Sequence, residues 1–102
     1  MHHLKFHPEA VSELKESILW YEKRSVTAAG NFKTELNVSM QKIKQNPNLS
    51  PVVYKSFRTY FLKKFPFKIV YLADNNVIYI ISVFHTSRNP KALEDRLGSD
   101  NY

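Results

Sequence analysis

Helical spacing in the first half of the chain, β-branched and aromatic runs in the second, and a break at Asn46-Pro47 between them predict an α+β domain. The expected architecture is an N-terminal strand, a helix hairpin, and then an antiparallel sheet of three to four strands with the hairpin on one face. His3 to His7 alternates weakly and stops at Pro8, which suits a short strand feeding a helix whose first turn tolerates proline. Val11, Leu14, Ile18 and Tyr21 then recur at helical spacing, with Glu9, Ser12, Glu13, Lys15, Glu16 and Lys23 on the other faces. Ala29, Phe32, Leu36, Met40 and Ile43 repeat that spacing in a second helix, which Thr27 can cap and Asn46-Pro47 ends. The short link around Ser25 and Val26 leaves room only for an antiparallel helix pair.

Beyond Pro51 the residues 52–57, 59–65, 67–73 and 77–84 read as strands, the first two as one long strand or a bent pair. Asp74-Asn75-Asn76 is the clear turn, because Asn and Asp tolerate the left-handed backbone of a tight hairpin. Pro66 belongs at a strand start or hairpin corner. The last strand is apolar on both faces except at Tyr79 and Ser82, as expected of a covered central strand. The predicted core sets Leu14, Ile18, Phe32, Leu36, Met40 and Ile43 against Ile69, Tyr71 and Ile81. Leu93 and Leu97 favour a short helix within 91–102, with 98–102 as a fraying tail.

At 102 residues, with 43% hydrophobic and 14% aromatic content, the chain suits one domain spanning 1–102. The absence of cysteine excludes disulfides and thiolate metal sites and agrees with a soluble, cytoplasmic protein. No window approaches the ~20 apolar residues of a membrane span, so no membrane role is expected. The charge is unevenly placed. Residues 1–35 are neutral, residues 36–73 carry +7 with no Asp or Glu, and residues 74–102 carry −1, giving the net +6. Lys42, Lys44, Lys55, Arg58, Lys63, Lys64 and Lys68 supply the excess, and a negatively charged partner is the first expectation.

Phe65-Pro66-Phe67-Lys68-Ile69-Val70-Tyr71, then Val77 to His85, then Arg88-Asn89-Pro90 form an ordered set with Trp20-Tyr21-Glu22, the Phe32 to Ile43 helix and Asn46-Pro47 upstream. This set resembles the RelE/ParE-type toxins of type II toxin-antitoxin systems over nearly the whole chain, and looks closer to the ParE-like branch. The family often has Gly after the histidine and Asp before the final proline, where this chain has Thr86 and Asn89. The resemblance implies a small bacterial toxin, associated with plasmid stabilization and growth inhibition, that a cognate acidic antitoxin holds inactive. It implies one of two targets: RelE-like members cut messenger RNA on the ribosome, and ParE-like members poison DNA gyrase. Gyrase poisoning is the expected activity; ribosome-dependent mRNA cleavage, or a non-toxic relic that only binds antitoxin, are the alternatives.

Metal-free RNA cleavage would need a proton-transfer group and cations around the phosphate. His85 and Arg88 are the candidate catalytic residues on that reading, and Arg58, Lys64, Lys63, Lys68 and Lys55 are the candidates for nucleic-acid or antitoxin binding. Strand alternation puts Arg58, Tyr60, Leu62 and Lys64 on one face and Thr59, Phe61 and Lys63 on the other. With Phe61 taken as a core residue facing the helices, Arg58 and Lys64 fall on the open face, and Lys63 and Lys64 cannot share a surface without a bulge. Plainer roles exist for each: a structural hydrogen-bonded histidine, lysines that protect a sheet edge, and an Arg88 that pairs with Glu94 or Asp95. No metal or cofactor is expected. His2, His3 and His7 lie far in sequence from His85, and Gly30 and Gly98 make no phosphate loop. Tyr54, Tyr60, Tyr71 and Tyr79 include possible base stackers but suit packing better.

Overall fold

The computed structural model describes residues 2–98. Its centre is a long hairpin of β4 (Phe67–Asp74) and β5 (Val77–His85), closed at Asn75, whose φ of 52° is the left-handed conformation that asparagine tolerates. Upstream lie β1 (His3–Phe6), α1 (Pro8–Glu22), α2 (Val26–Gln45), β2 (Val52–Tyr54) and β3 (Phe57–Phe61); α3 (Pro90–Leu97) follows β5. The sheet has five strands in the order β1-β5-β4-β3-β2. It is mixed rather than wholly antiparallel, because β1 joins β5 in parallel through the pairs His3↔Val77 to Phe6↔Ile80.

Local chemistry sets the ends of the elements. The Ser25 side chain, not Thr27, caps α2 by accepting from the Ala28 amide at 3.1 Å. Asn46 closes the same helix. β2 and β3 form a tight hairpin through Lys55, at φ 51°, and β3 stops at Phe61 instead of running to Phe65. Asn89 caps α3 ahead of Pro90.

Two apolar layers sandwich the sheet. On one face Phe32, Leu36, Met40 and Ile43 of α2 pack on Phe67, Ile69, Tyr71, Ile78, Ile80 and Val83, with Leu14 and Ile18 of α1 partly buried against them. On the other face Leu93 and Leu97 of α3 cover Phe57, Val70, Ile81 and Phe84. Burying each of these leucines contributes about 1.5–3 kcal/mol, which is what docks so short a helix.

Two facing assignments are corrected. Ile81 lies under α3, not under the helix hairpin, because a bulge between Val70↔Ser82 and Tyr71↔Ile80 leaves Ile81 as the extra residue of β5. Phe61 is 58% exposed on the face away from the hairpin, opposite Lys68. The even positions of β3 therefore face the hairpin: Arg58 pairs with Tyr71, Tyr60 pairs with Ile69, and Leu62 is buried in the same layer.

Candidate functional site

The β5 bulge decides where His85 goes. By restarting the alternation, it puts Val83 and His85 on the hairpin side, and His85 lands opposite Phe67 with the two rings edge to face at 4.9 Å. There it lines a cleft of about 450 Å³ between α1 and the end of β5, together with Tyr21, Phe67, Val83, Ser87 and Arg88. The Ser87 backbone amide donates to His85 Nδ1 at 3.1 Å, and the Ser87 hydroxyl lies 2.6 Å from the same nitrogen. An accepting Nδ1 leaves the proton of the neutral ring on Nε2, so the free nitrogen offers a donor.

Arg88 reaches this cleft from a different starting point. Its guanidinium sits 4.7 Å from the Phe84 ring centroid and donates to Glu13 Oε2 at 3.0 Å. It does not pair with Glu94 or Asp95. Glu13, read from sequence as a solvent-facing helix residue, is buried where β1 has ended and β5 still has a free edge. Its carboxylate accepts from the Val83 amide at 3.2 Å and the Ser82 hydroxyl at 3.0 Å, satisfying that edge. Arg96 of α3 grips both carboxylate oxygens at 3.0 Å, reaches the Ile81 carbonyl at 3.2 Å, and pairs through Nε with Glu9 at 2.7 Å. Burial works against the Arg96 charge, but the hydrogen bonds and charges of Glu13 and then Glu9 outweigh it and hold the proton more tightly than on a free arginine. One carboxylate thus ties α1, β5 and α3 together.

The remaining candidate cations do not join His85. Arg58 donates to the carbonyls of Asn48 at 3.1 Å and Ser50 at 2.7 Å, bracing the segment before β2. Beside it the Tyr71 hydroxyl donates to Pro47 O at 2.6 Å; burial raises its pKa, against smaller opposing effects of Ser50 and Arg58. Lys55 Nζ lies over Tyr54, 5.5 Å from the ring centroid, and Lys68 lies over Phe84 at the same distance, on the α3 side of the sheet. Lys63 and Lys64 follow the end of β3, so alternation no longer separates them, and both line a second groove of about 540 Å³ against α2. Among the described residues no cluster of His, Cys, Asp or Glu can hold a metal ion. Nor is any helix there long and apolar enough to cross a membrane.

A family model for the ParE toxin of the type II toxin-antitoxin system parDE matches residues 4–90. The chain belongs to the ParE toxin family. A similar solved structure is the chromosomal ParDE toxin-antitoxin system from P. aeruginosa, with a TM-score of 0.67 and 17% identity over 85% of this chain and 98% of that one. The YoeB-YefM complex from Staphylococcus aureus gives a TM-score of 0.52 at 16% identity, covering 81% of this chain and 94% of that one. An E. coli RelE mutant in complex with an antitoxin RelBc peptide gives 0.54 at 16% identity, covering 92% of each chain. No curated protein matches significantly. At these identities the structural likeness carries the RelE/ParE fold, and the family match carries the assignment as a type II toxin.

Within this ParE-family chain, the cleft joins an apolar floor of Phe67 and Val83 to a fixed donor from His85 and a half-exposed arginine already tied to an acid. Sequence reasoning named His85 and Arg88, which the structure places in one cleft, and did not single out Glu13, Arg96 or Ser87. The usable signal was a stripe of Ala10, Glu13 and Ser17 at helical spacing beside the apolar stripe.

Proposed function

We propose that this toxin poisons DNA gyrase by protein contact and that a cognate antitoxin neutralises it. One observation carries the choice of contact over cleavage: the groups an RNA-cleaving site needs do not converge on one place. His85 presents a donor, Arg88 is held by Glu13, Arg58 braces a loop, and Lys63 and Lys64 line another groove. A ribonuclease without metal requires a base and phosphate clamps converging on one phosphorus. Docking requires only a shaped surface with an anchor pocket, and the His85 cleft has aromatic walls from Trp20 and Tyr21 to receive one. The ParE family match supports gyrase as the target. The antitoxin reading draws on the solved neighbours, which are toxin-antitoxin systems and complexes.

The reading for ribosome-dependent cleavage has one point in its favour, that His85 and Arg88 share a cleft. Induced expression separates the two. Gyrase poisoning predicts double-strand DNA breaks with transcripts intact, and resistance in cells that carry gyrase variants selected against the toxin. Transcripts cut at defined codons, with chromosomal DNA intact, would overturn the proposal in favour of the nuclease. Absence of growth arrest from a folded, expressed protein would overturn it in favour of a non-toxic antitoxin binder.

A further inference from the structure

We infer that the second groove, between α2 and the β3–β4 connection, is a sequence-independent binding site for the phosphodiester backbone of nucleic acid. This inference does not depend on which target the toxin poisons. Lys42 rises from α2 on one wall, and Lys63 and Lys64 come from the connection on the other, all three exposed. None of them belongs to an ion pair among the described residues.

The groove does contain one acid, and its geometry explains why it leaves the lysines unneutralised by direct contact. Glu35 accepts from the Lys63 backbone amide at 2.6 Å and from the Lys64 amide at 3.1 Å on each oxygen. Its carboxylate fixes the turn, so it presents the ammonium groups on a rigid backbone instead of pairing with them. Asn31 and Thr34 complete the rim. Elsewhere on the molecule Arg88, Arg96 and Lys33 are all paired with carboxylates. Other lysines also lack an ion pair among the described residues, but in this groove three such lysines line one cavity from two walls.

The chemistry of the cations favours nucleic acid over an acidic peptide. Protein interfaces are depleted in lysine and enriched in arginine and aromatic anchors, and the groove has three lysines and no arginine. Lysine acts as a point charge that tracks a polyanion, gaining from released counterions without reading bases. The aromatic residues there are engaged elsewhere: Phe65 packs edge to face on Tyr21 at 5.3 Å and on Phe32 at 5.1 Å, and Tyr60 packs against the hairpin layer. Base stacking therefore contributes little, and affinity should follow backbone charge density.

The test is fluorescence anisotropy with a labelled DNA duplex of about 20 base pairs, a single strand and an RNA hairpin of similar length, across a salt series. The free toxin should bind the duplexes in low salt, independently of sequence, with log Kd rising linearly with log salt. The triple variant Lys42→Gln/Lys63→Gln/Lys64→Gln should lose at least about tenfold in affinity and about three from the magnitude of the salt slope, roughly one per lysine. Lys5→Gln/Lys15→Gln/Lys23→Gln, with the same net charge and an unaltered groove, should bind as the parent does. Unchanged melting curves keep folding out of the comparison. DNA bound tighter than RNA, or the reverse, identifies which backbone the site takes. Equal losses in both triple variants, a salt-independent Kd, or tighter binding of a Glu-rich peptide than of any nucleic acid would overturn the inference.

Discussion

Glu13→Gln keeps the size and shape of the residue, removes its charge and turns one of its two acceptor oxygens into an NH2 donor. The expected cost is set by what stays behind. The Arg96 side chain is 14% exposed and Glu13 10%, so the pair lies out of water, and removing the Glu13 charge leaves a buried cation with only the exposed Glu9 as its counter-charge. Breaking such a pair costs about 3–5 kcal/mol, against ~0–1 kcal/mol for an exposed one. Arg88, whose side chain is 47% exposed, belongs to the second class, and Arg88→Gln should cost under about 1 kcal/mol. A domain of this size is stable by roughly 5–15 kcal/mol, so Glu13→Gln removes a large share. At about 4–8 °C per kcal/mol, its melting temperature should fall by roughly 12–40 °C. Glutamine still accepts from the Val83 amide, so the loss reports the charge and not the edge cap. Urea melts of Glu13→Gln, Arg96→Met and the double variant complete a thermodynamic cycle, which should give a coupling of at least about 1 kcal/mol. A Glu13→Gln cost no larger than that of Arg88→Gln, or additive single changes, would refute the role given to this carboxylate.

Other consequences follow from the packing and the site. Leu36→Ala, at a residue 5% exposed between α2 and the sheet, should cost ~2–5 kcal/mol in a denaturant melt. Burial raises the pKa of both Tyr21 and Tyr71 above 10.0. The folded state therefore holds protons that the unfolded state releases, so their contribution is complete below about pH 10 and is lost as pH rises beyond it. Melting across that window should show the loss, and Tyr71→Phe should reduce its slope. His85→Gln should leave growth arrest in place, since glutamine keeps a donor in the cleft and contact transfers no proton; a loss of toxicity of about 10²-fold with the fold intact would mark proton transfer.

Much of the fold was legible because its signals are local. Periodicity placed α1 and α2, the Asp74-Asn75-Asn76 turn placed the central hairpin, and Leu93 and Leu97 marked α3. What escaped was set by distant partners. The parallel seat of β1 on β5 depends on a pairing across more than half the chain, and β1 itself is too short to declare it. On β3, Phe61 and Leu62 are both apolar, while Arg58 and Thr59 are both polar, so alternation fixed two faces without saying which one is covered. Register with β4 puts Phe61 opposite Lys68 on the outer face, and Leu62, just past the strand end, is buried in the hairpin layer. The bulge at Ile81 left no mark in an unbroken apolar run, yet it decides the side on which His85 stands. Glu13 was the hardest to see, because an acid on an amphipathic helix ordinarily faces water. Only the short β1, which leaves an unpaired edge, and Arg96 on a helix beneath the sheet make its burial favourable.

The most direct test of contact poisoning uses purified components: gyrase, relaxed plasmid, ATP and the toxin, with His85→Gln alongside. Linear plasmid should accumulate on protein denaturation with both proteins, and added antitoxin should abolish it. Plasmid that is supercoiled normally in the presence of toxin, while the same preparation cuts messenger RNA on ribosomes and His85→Gln does not, would contradict the account.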